Sequence, residues 1–280
     1  YPVIGPKPRS TQNTCLVTFP PIFIYLSSFS DELLLRRFLH SCHYSMERAK
    51  RTIDLFFTIR STAPELFTKR DPWSPEIRRV DMLPLPYKTP ENYKVFIYRL
   101  NNPDLNLFDF IDAVKTFFML ADTRLTEDDD IPSGEIPVFD SANVSLKFIG
   151  KLNLSVLRKY MLYTQEAMPI RLKQVHIINS PPYIAKIFAI CKPFLKTEVA
   201  KLIKFHEPNS DTLYKDIPLD ILPNEYGGKA GSVEQIKQKW IKTIESKRYV
   251  QIKKKNNVLI KPAQVPINLW ENLIFFNLSE

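Results

Sequence analysis

Histidine, cysteine and carboxylate are the side chains that most often carry chemistry, and this chain holds few of them in useful company. His40, Cys42 and His43 fall within a single turn, a spacing at which two imidazoles and a thiolate could seat a metal ion. A structural zinc site needs four ligands, usually two closely spaced pairs, and no second pair answers this one, so no metal is expected. His176 lies inside the apolar run Gln174-Val-His-Ile-Ile-Asn179 with no nucleophile-elbow serine to serve, and reads as a hydrogen-bonded core histidine. Asp140 ends another such run. That is a catalytic position in many α/β folds, but no base or second carboxylate accompanies it. The 6 glycines of the chain spell neither GxGxxG nor GxxxxGK[ST], which removes the two common nucleotide-binding loops. Neither an enzyme nor a bound cofactor is expected.

What the chain has in quantity is greasy surface with a cationic border. From Pro181 to His206, Ile184, Ile187, Phe188, Cys191, Phe194 and Leu195 recur at helical spacing. Beyond Pro193, Leu195, Val199, Leu202, Ile203 and His206 share one side, and Lys196, Glu198, Lys201 and Lys204 take the other. Two readings follow. The segment is either a pair of ordinary core-facing helices or an amphipathic lid over an apolar cavity, able to lie in a membrane interface.

A lid needs a scaffold. The chain has 280 residues and 32.7 kDa, with 44% hydrophobic and 25% charged residues. This suffices for one large or two modest domains with a self-sufficient core. Three separated cysteines, Cys15, Cys42 and Cys191, fit a reducing compartment. Helical periodicity runs from Asp31 to about Thr62 through Leu34, Phe38, Ala49, Ile53, Phe56 and Phe57, with Ser45 as an N-cap. The proline clusters at 71–75 and 83–86 read as separators. Strands are expected at 93–98, 135–140 and 174–179, with Pro137 suggesting an edge or bulge. Helices are expected at 107–120, 155–168, 183–191 and 197–206. Alternation of this kind predicts an α/β sheet with crossovers.

Net charge is +9, unevenly placed. Lys237 to Lys261 holds nine Lys/Arg against Glu245 alone, and Asp122 to Glu135 six acids against Arg124. The Lys253-Lys-Lys255 run reads as a solvated tail. The first thirty residues are atypical. Their apolar stretch contains Pro20 and Pro21 and is too short for a membrane span, and the expectation is that intron-derived sequence precedes a coding start near Asp31.

Six motifs in order give the chain a family likeness. They are Asp31-Glu-Leu-Leu-Leu-Arg-Arg-Phe-Leu39, Tyr44-Ser-Met-Glu-Arg-Ala-Lys50, Val138-Phe-Asp140, Ile177-Ile-Asn-Ser-Pro181, Lys192-Pro-Phe-Leu195 and Leu222-Pro-Asn-Glu-Tyr-Gly-Gly228. Together they resemble the signature of the CRAL-TRIO lipid-transfer family. Pro169-Ile-Arg-Leu-Lys173 and Phe205-His206 look most like its alpha-tocopherol transfer protein-like members from insects. The resemblance implies a small all-helical N-terminal lobe at 31–70 and an α/β lipid-binding domain at 71–236. Residues 237–280 would then form a basic extension. The domain would carry a mostly parallel sheet under an apolar pocket, with the segment Pro182–Leu202 as a mobile gate helix.

The same resemblance assigns the pocket to Val114, Phe118, Phe139, Leu152, Tyr160, Thr164, Met168, Val175, Ile187, Phe188 and Cys191. Leu157, Tyr160, Thr164 and Met168 also share a helical stripe, and Val175 and Ile177 one strand face. Tyr160 and Thr164 stand out, because a hydroxyl in an apolar pocket needs a partner. Arg171 and Lys173 match cationic positions that hold phosphoinositide head groups in the tocopherol branch. Two further cations of that branch fall on Glu198 and Leu202, so Lys196, Lys201 and Lys204 are the expected substitutes. The fungal phosphatidylinositol-exchanging pattern is absent at Ile170 and Leu202, which favours a neutral isoprenoid-like cargo such as a tocopherol, retinoid or carotenoid.

The leading expectation is a cytoplasmic, transiently membrane-associated carrier of one hydrophobic molecule, with a phosphoinositide-containing membrane as partner. The alternative is a lipid-sensing adaptor whose occupancy controls a protein partner. A nucleic-acid binder ranks third, since the basic stretch lacks a reading motif or spaced aromatics.

Overall fold

The computed structural model describes residues 32–102, 104–127 and 130–257. The expectations for residues 1–30, and for the basic extension beyond 257, lie outside the described residues. Helix α1 (Glu32–Ser41) buries Leu35 and Phe38. The chain then reverses through His43 and Tyr44, both at positive φ. The Ser45 hydroxyl accepts the Arg48 N–H at 3.4 Å and opens α2 (Met46–Thr62), satisfying one of the first-turn donors that a helix leaves unpaired. Ala49, Ile53, Phe56 and Ile59 are the buried stripe of α2, with Phe56 edge-on to Phe38 at 5.3 Å. Two short helices follow, α3 (Pro64–Phe67) and α4 (Pro75–Arg79), each with proline in its first turn, where no N–H is needed.

Five strands form one sheet in sequential order. They are β1 (Val80–Lys88), β2 (Tyr93–Leu100), β3 (Gly134–Asp140), β4 (Val175–Ile178) and β5 (Ile203–Phe205). β1 and β2 are an antiparallel hairpin, and the remaining neighbours are parallel. Helix α5 (Phe110–Glu127) crosses between β2 and β3, and α6 (Leu154–Leu162) between β3 and β4. A π turn, Tyr163–Ala167, extends α6. Between β4 and β5 lie α7 (Ile184–Cys191), a 3-10 turn at Lys192–Phe194 and α8 (Thr197–Ala200). The closing helix α9 (Val233–Asn257) packs on β1 and α5. Among the described residues no helix is long and apolar enough to cross a membrane.

Four elements depart from the sequence reading. The segment 83–86 is strand, not separator: β1 is an edge strand, which tolerates Pro84 and Pro86 because its outer side needs no ladder donor. Pro137, by contrast, sits in β3 between two neighbours. The β3–β4 ladder lapses there, because between the Glu135–Leu172 bridge and the Val138–His176 pair two residues of β3 oppose three of the other strand. Pro137 lies opposite the bulged strand, where the interrupted ladder does not call on the N–H it lacks. The helix expected over 197–206 ends at Ala200, and Ile203–Phe205 becomes β5. Val175 N–H donates to Leu202 O at 2.9 Å and His206 N–H to Ile177 O at 2.8 Å, bonds that a continued helix could not make. The single gate helix is likewise broken at Pro193, which cannot sit in a helix interior. Lys237, where the basic extension was drawn to begin, lies within α9, where Val233, Ile236, Ile241 and Ile244 are buried.

Strand periodicity gives the sheet two apolar faces. One face packs Leu83, Leu85, Val95, Ile97, Ile136 and Val138 against Leu213, Ile217, Leu222 and Val233, each buried side chain contributing about 1.5–3 kcal/mol. The other face turns Phe96, Tyr98, Phe139, Val175 and Ile177 toward α5, α6 and α7. The N-terminal helices are fastened to this layer by polar and aromatic contacts. Arg60 grips Asp122 through both terminal nitrogens at 2.8 and 2.6 Å, and its Nη1 also donates to the Tyr163 hydroxyl at 2.7 Å. Arg70 reaches the same carboxylate at 2.7 Å.

Candidate functional site

Between the second sheet face and the helices lies a cavity of about 410 Å³, within the range of small-molecule pockets. The sheet supplies Phe96, Tyr98, Phe139, Val175 and Ile177, α5 supplies Val114 and Phe117, and α6 with its π turn supplies Leu157, Tyr160 and Thr164. Ile184, Ile187, Phe188 and Cys191 of α7 close it.

Ten of the eleven residues assigned to the pocket stand on this wall: Val114, Phe139, Leu152, Tyr160, Thr164, Met168, Val175, Ile187, Phe188 and Cys191. Phe118 does not. One residue along a helix turns a side chain by about 100°, and Phe118 packs instead on Phe67 at 4.5 Å and Tyr163 at 4.9 Å. Its neighbour Phe117 takes the wall position. Val80 and Met82 went unseen because β1 was not read as strand. Phe96 and Tyr98 went unseen although the alternation of β2 puts them on one face.

The polar groups on the wall divide into satisfied and unsatisfied. Asp81 accepts from Arg99 Nε at 2.6 Å and Lys237 Nζ at 2.7 Å. Asp140 accepts from the Tyr226 hydroxyl at 2.7 Å and Asn179 Nδ2 at 2.9 Å. Arg124 and Glu135 form a buried two-point pair at 3.0 and 2.5 Å. The Thr164 hydroxyl donates to Tyr160 O at 2.9 Å, so its partner is the helix and it has no need of a ligand. The Tyr160 and Tyr98 hydroxyls bond to nothing among the described residues, and burial pushes both phenol pKa values up. Burial likewise raises the Cys191 thiol.

Few polar contacts hold the closing segment. Gln165, in the π turn, donates from Nε2 to Phe194 O and accepts the Lys196 N–H at Oε1, both at 2.9 Å. Glu166 pairs with Lys196 at 3.1 Å. Before α7 begins, the Tyr183 hydroxyl donates to Val144 O at 2.8 Å. The outward side of α7 shows Ala185, Lys186 and Ala189 to solvent. Beside this segment, His176 (fully buried) and His206 share a hydrogen bond at 2.8 Å across β4 and β5. The outer nitrogens bond to Gln174 Oε1 at 3.0 Å and Thr212 Oγ1 at 2.7 Å. Burial, then His206, lowers the His176 pKa to about 4. His176 is therefore a satisfied core histidine, as its apolar strand suggests.

The five residues assigned to head-group binding do not gather in one place. Lys204 is held by both Asp216 oxygens at 2.8 Å and Lys196 by Glu166, while Lys201 is exposed beside α8. Arg171 and Lys173 have no carboxylate within 4.0 Å among the described residues. Arg171 donates to His40 O, and its guanidinium stands 5.8 Å from the Tyr44 ring centroid. Lys173 lies over Tyr93 at 5.3 Å and passes Gly134 so closely that a Cβ there would meet its Cγ at 2.2 Å. The turn after α1 borders these two cations, which hold its histidines toward the neutral form. Arg171, then burial, Lys173 and Arg48 lower the His43 pKa, while burial, then Arg171, His43, Lys173 and Arg37 bring His40 to about 4. Among the described residues no group of three His, Cys, Asp or Glu could hold a metal ion.

Residues 79–228 match the family model described as CRAL/TRIO domain, and residues 25–77 the one described as Pinta-like, UBA domain. The chain is 27% identical over 212 residues to the alpha-tocopherol transfer protein-like of Mus musculus, covering 75% of this chain and 62% of that protein. It is 30% identical over 203 residues to clavesin-1 of Xenopus laevis, covering 71% and 61%. The chain thus spans about three-fifths of the length of the curated relatives it matches. The crystal structure of Sfh5 shares the fold, with a TM-score of 0.50 at 15% identity over 81% of this chain and 85% of that one.

Proposed function

This chain belongs to the CRAL/TRIO domain family, and on that premise we propose that it is a carrier that encloses one hydrophobic molecule and moves it between membranes. The observation that carries this reading is the apolar cavity whose wall includes an amphipathic segment held by few polar bonds. The cycle this reading requires is binding and release. In water the inward face of α7 keeps the segment shut. Moving Ile184, Ile187 and Phe188 into a bilayer interface removes most of that cost. The cargo is a neutral isoprenoid-like lipid such as a tocopherol, retinoid or carotenoid, and the carrier works on cytoplasmic membrane faces.

Arg171 and Lys173 are the head-group contacts, with His43 and Arg48 completing an anion site for a phosphoinositide. Their freedom from carboxylates supports this role, whereas the pairing of Lys196 and Lys204 leaves those two as lesser contributors. The test is organic extraction and native mass spectrometry of the full chain, purified from cells supplied with mixed tocopherols, retinoids, carotenoids and phospholipids. One neutral isoprenoid at near one-to-one stoichiometry is expected. Phosphatidylinositol in the cavity overturns the cargo class, and a folded protein that extracts nothing overturns the carrier.

A further inference from the structure

Two phenols face the cavity with nothing to bond to. Tyr98 comes from β2 and Tyr160 from α6, and both rings pack on Phe117, at 5.7 and 5.0 Å between centroids. Their hydroxyls feel one another, since the charge of an ionised Tyr160 would raise the Tyr98 pKa further. Neither has a hydrogen-bond partner among the described residues. Both residues are partly buried and border the cavity, so their hydroxyls are left for water or cargo in that space to satisfy. The charged groups of the wall are already engaged, Asp81 by Arg99 and Lys237, Glu135 by Arg124 and Asp140 by Tyr226 and Asn179, and Thr164 is bonded to its own helix.

We propose that Tyr98 and Tyr160 form a polar pole in the cavity that selects cargo carrying a single neutral oxygen group, a hydroxyl or a carbonyl, on an apolar skeleton. This rests on the carrier reading above. A phenol both donates and accepts, so the pair can bond a carbonyl through one O–H or exchange bonds with a hydroxyl. An ionised cargo is selected against, since entering the cavity strips its water and finds every opposite charge on the wall already engaged. A bare hydrocarbon is also disfavoured, because it displaces any water from the pole and leaves both phenols unpaired.

The test uses the full chain, incubated with equimolar phytol, phytane and phytanic acid, which share a branched skeleton and differ at its end. Bound lipid is quantified by gas chromatography after gel filtration. Phytol should exceed phytane at least tenfold, with phytanic acid minor at pH 7.5. Tyr98→Phe and Tyr160→Phe should each cut the phytol preference at least about fivefold, the worth of one neutral hydrogen bond. Phytane occupancy kept by these variants shows that the cavity is intact. Equal phytol and phytane binding by the unaltered chain overturns the proposal, as does dominance of phytanic acid. So does loss of preference in Ser141→Ala with none in the tyrosine variants, since Ser141 carries a further hydroxyl on this wall. Binding of none of the three overturns the carrier reading itself.

Discussion

Replacing Gln165 with alanine should loosen the α7 segment without emptying the cavity. The carboxamide makes two bonds to the closing backbone, to Phe194 O and from the Lys196 N–H, each 2.9 Å. A net worth of about 0.5–1.5 kcal/mol per bond gives about 1–3 kcal/mol, or a 5- to 150-fold rise in the open population. The apolar side of the closure is larger. Ile184, Ile187 and Phe188 contribute about 1.5–3 kcal/mol each when fully sheltered, so closure survives on about 4–9 kcal/mol as an upper bound. The variant therefore stays shut in water and retains its ligand at equilibrium, and the change is in rate. Hydrogen exchange across residues 192–197 should accelerate by the factor given, while β3 and β4 keep their protection, and ligand delivery to acceptor vesicles should quicken in step. Unchanged exchange at Lys196 refutes the latch. Equal acceleration in the sheet refutes it too, since that result signals general destabilisation.

Three further outcomes are expected. Arg171→Gln with Lys173→Gln should weaken partition onto phosphoinositide-containing vesicles by about 2 kcal/mol, roughly 30-fold at low salt, and leave ligand occupancy intact; undiminished vesicle binding refutes the head-group role. Folded His176 sits near pKa 4 against 6.5 unfolded, so its contribution to stability is complete above pH 6.5 and is lost as pH falls from 6.5 toward 4, by about 3 kcal/mol. Urea melts at pH 7 and 4.5 should show a smaller loss in His176→Gln, and equal losses refute the assignment. Burial pushes the Asp122 pKa up, but Arg60 and Arg70 more than offset it and hold it below the usual carboxylate range. Arg60→Ala leaves Arg70 as the carboxylate's remaining cation but removes two charge-assisted bonds, which should cost about 3 kcal/mol, read as a Tm fall of about 6–12 °C, whereas an unchanged Tm refutes it.

The legible parts of this molecule are those where one periodicity rules. Ala49, Ile53 and Phe56 face inward because nothing competes with the 3.6-residue repeat of α2, and Ser45 caps it because a serine hydroxyl there has an obvious donor to accept. Legibility fails where neighbouring strands decide. Leu202, Ile203 and His206 fit a helical stripe equally well, and only β4 beside them makes Ile203–Phe205 a strand. Pro84 and Pro86 argue against strand unless the strand is known to be an edge, which is a property of the whole sheet. The polar pole was half visible. Tyr160 was singled out on its helix, but its companion is Tyr98, two strand positions from Phe96, and no spacing rule joins β2 to α6. Thr164 misled because an i−4 carbonyl satisfies a helical threonine silently.

The irregularity at Pro137 explains how one strip of chain serves both the interior and the surface. Ile170 and Leu172 line the cavity, and so do Val175 and Ile177. On an unbroken strand Leu172 and Val175 would point to opposite faces. The extra residue on the β4 side, between the Glu135–Leu172 bridge and the Val138–His176 pair, shifts the alternation by one and keeps all four turned inward. Arg171 and Lys173, interleaved with them, are thereby turned away from the cavity, and Gly134 leaves room for the Lys173 stem to reach Tyr93. The cationic rim and the cavity floor are thus consecutive residues of one bulged segment. That segment runs on into Val175, whose N–H bonds the Leu202 carbonyl just beyond the end of α8.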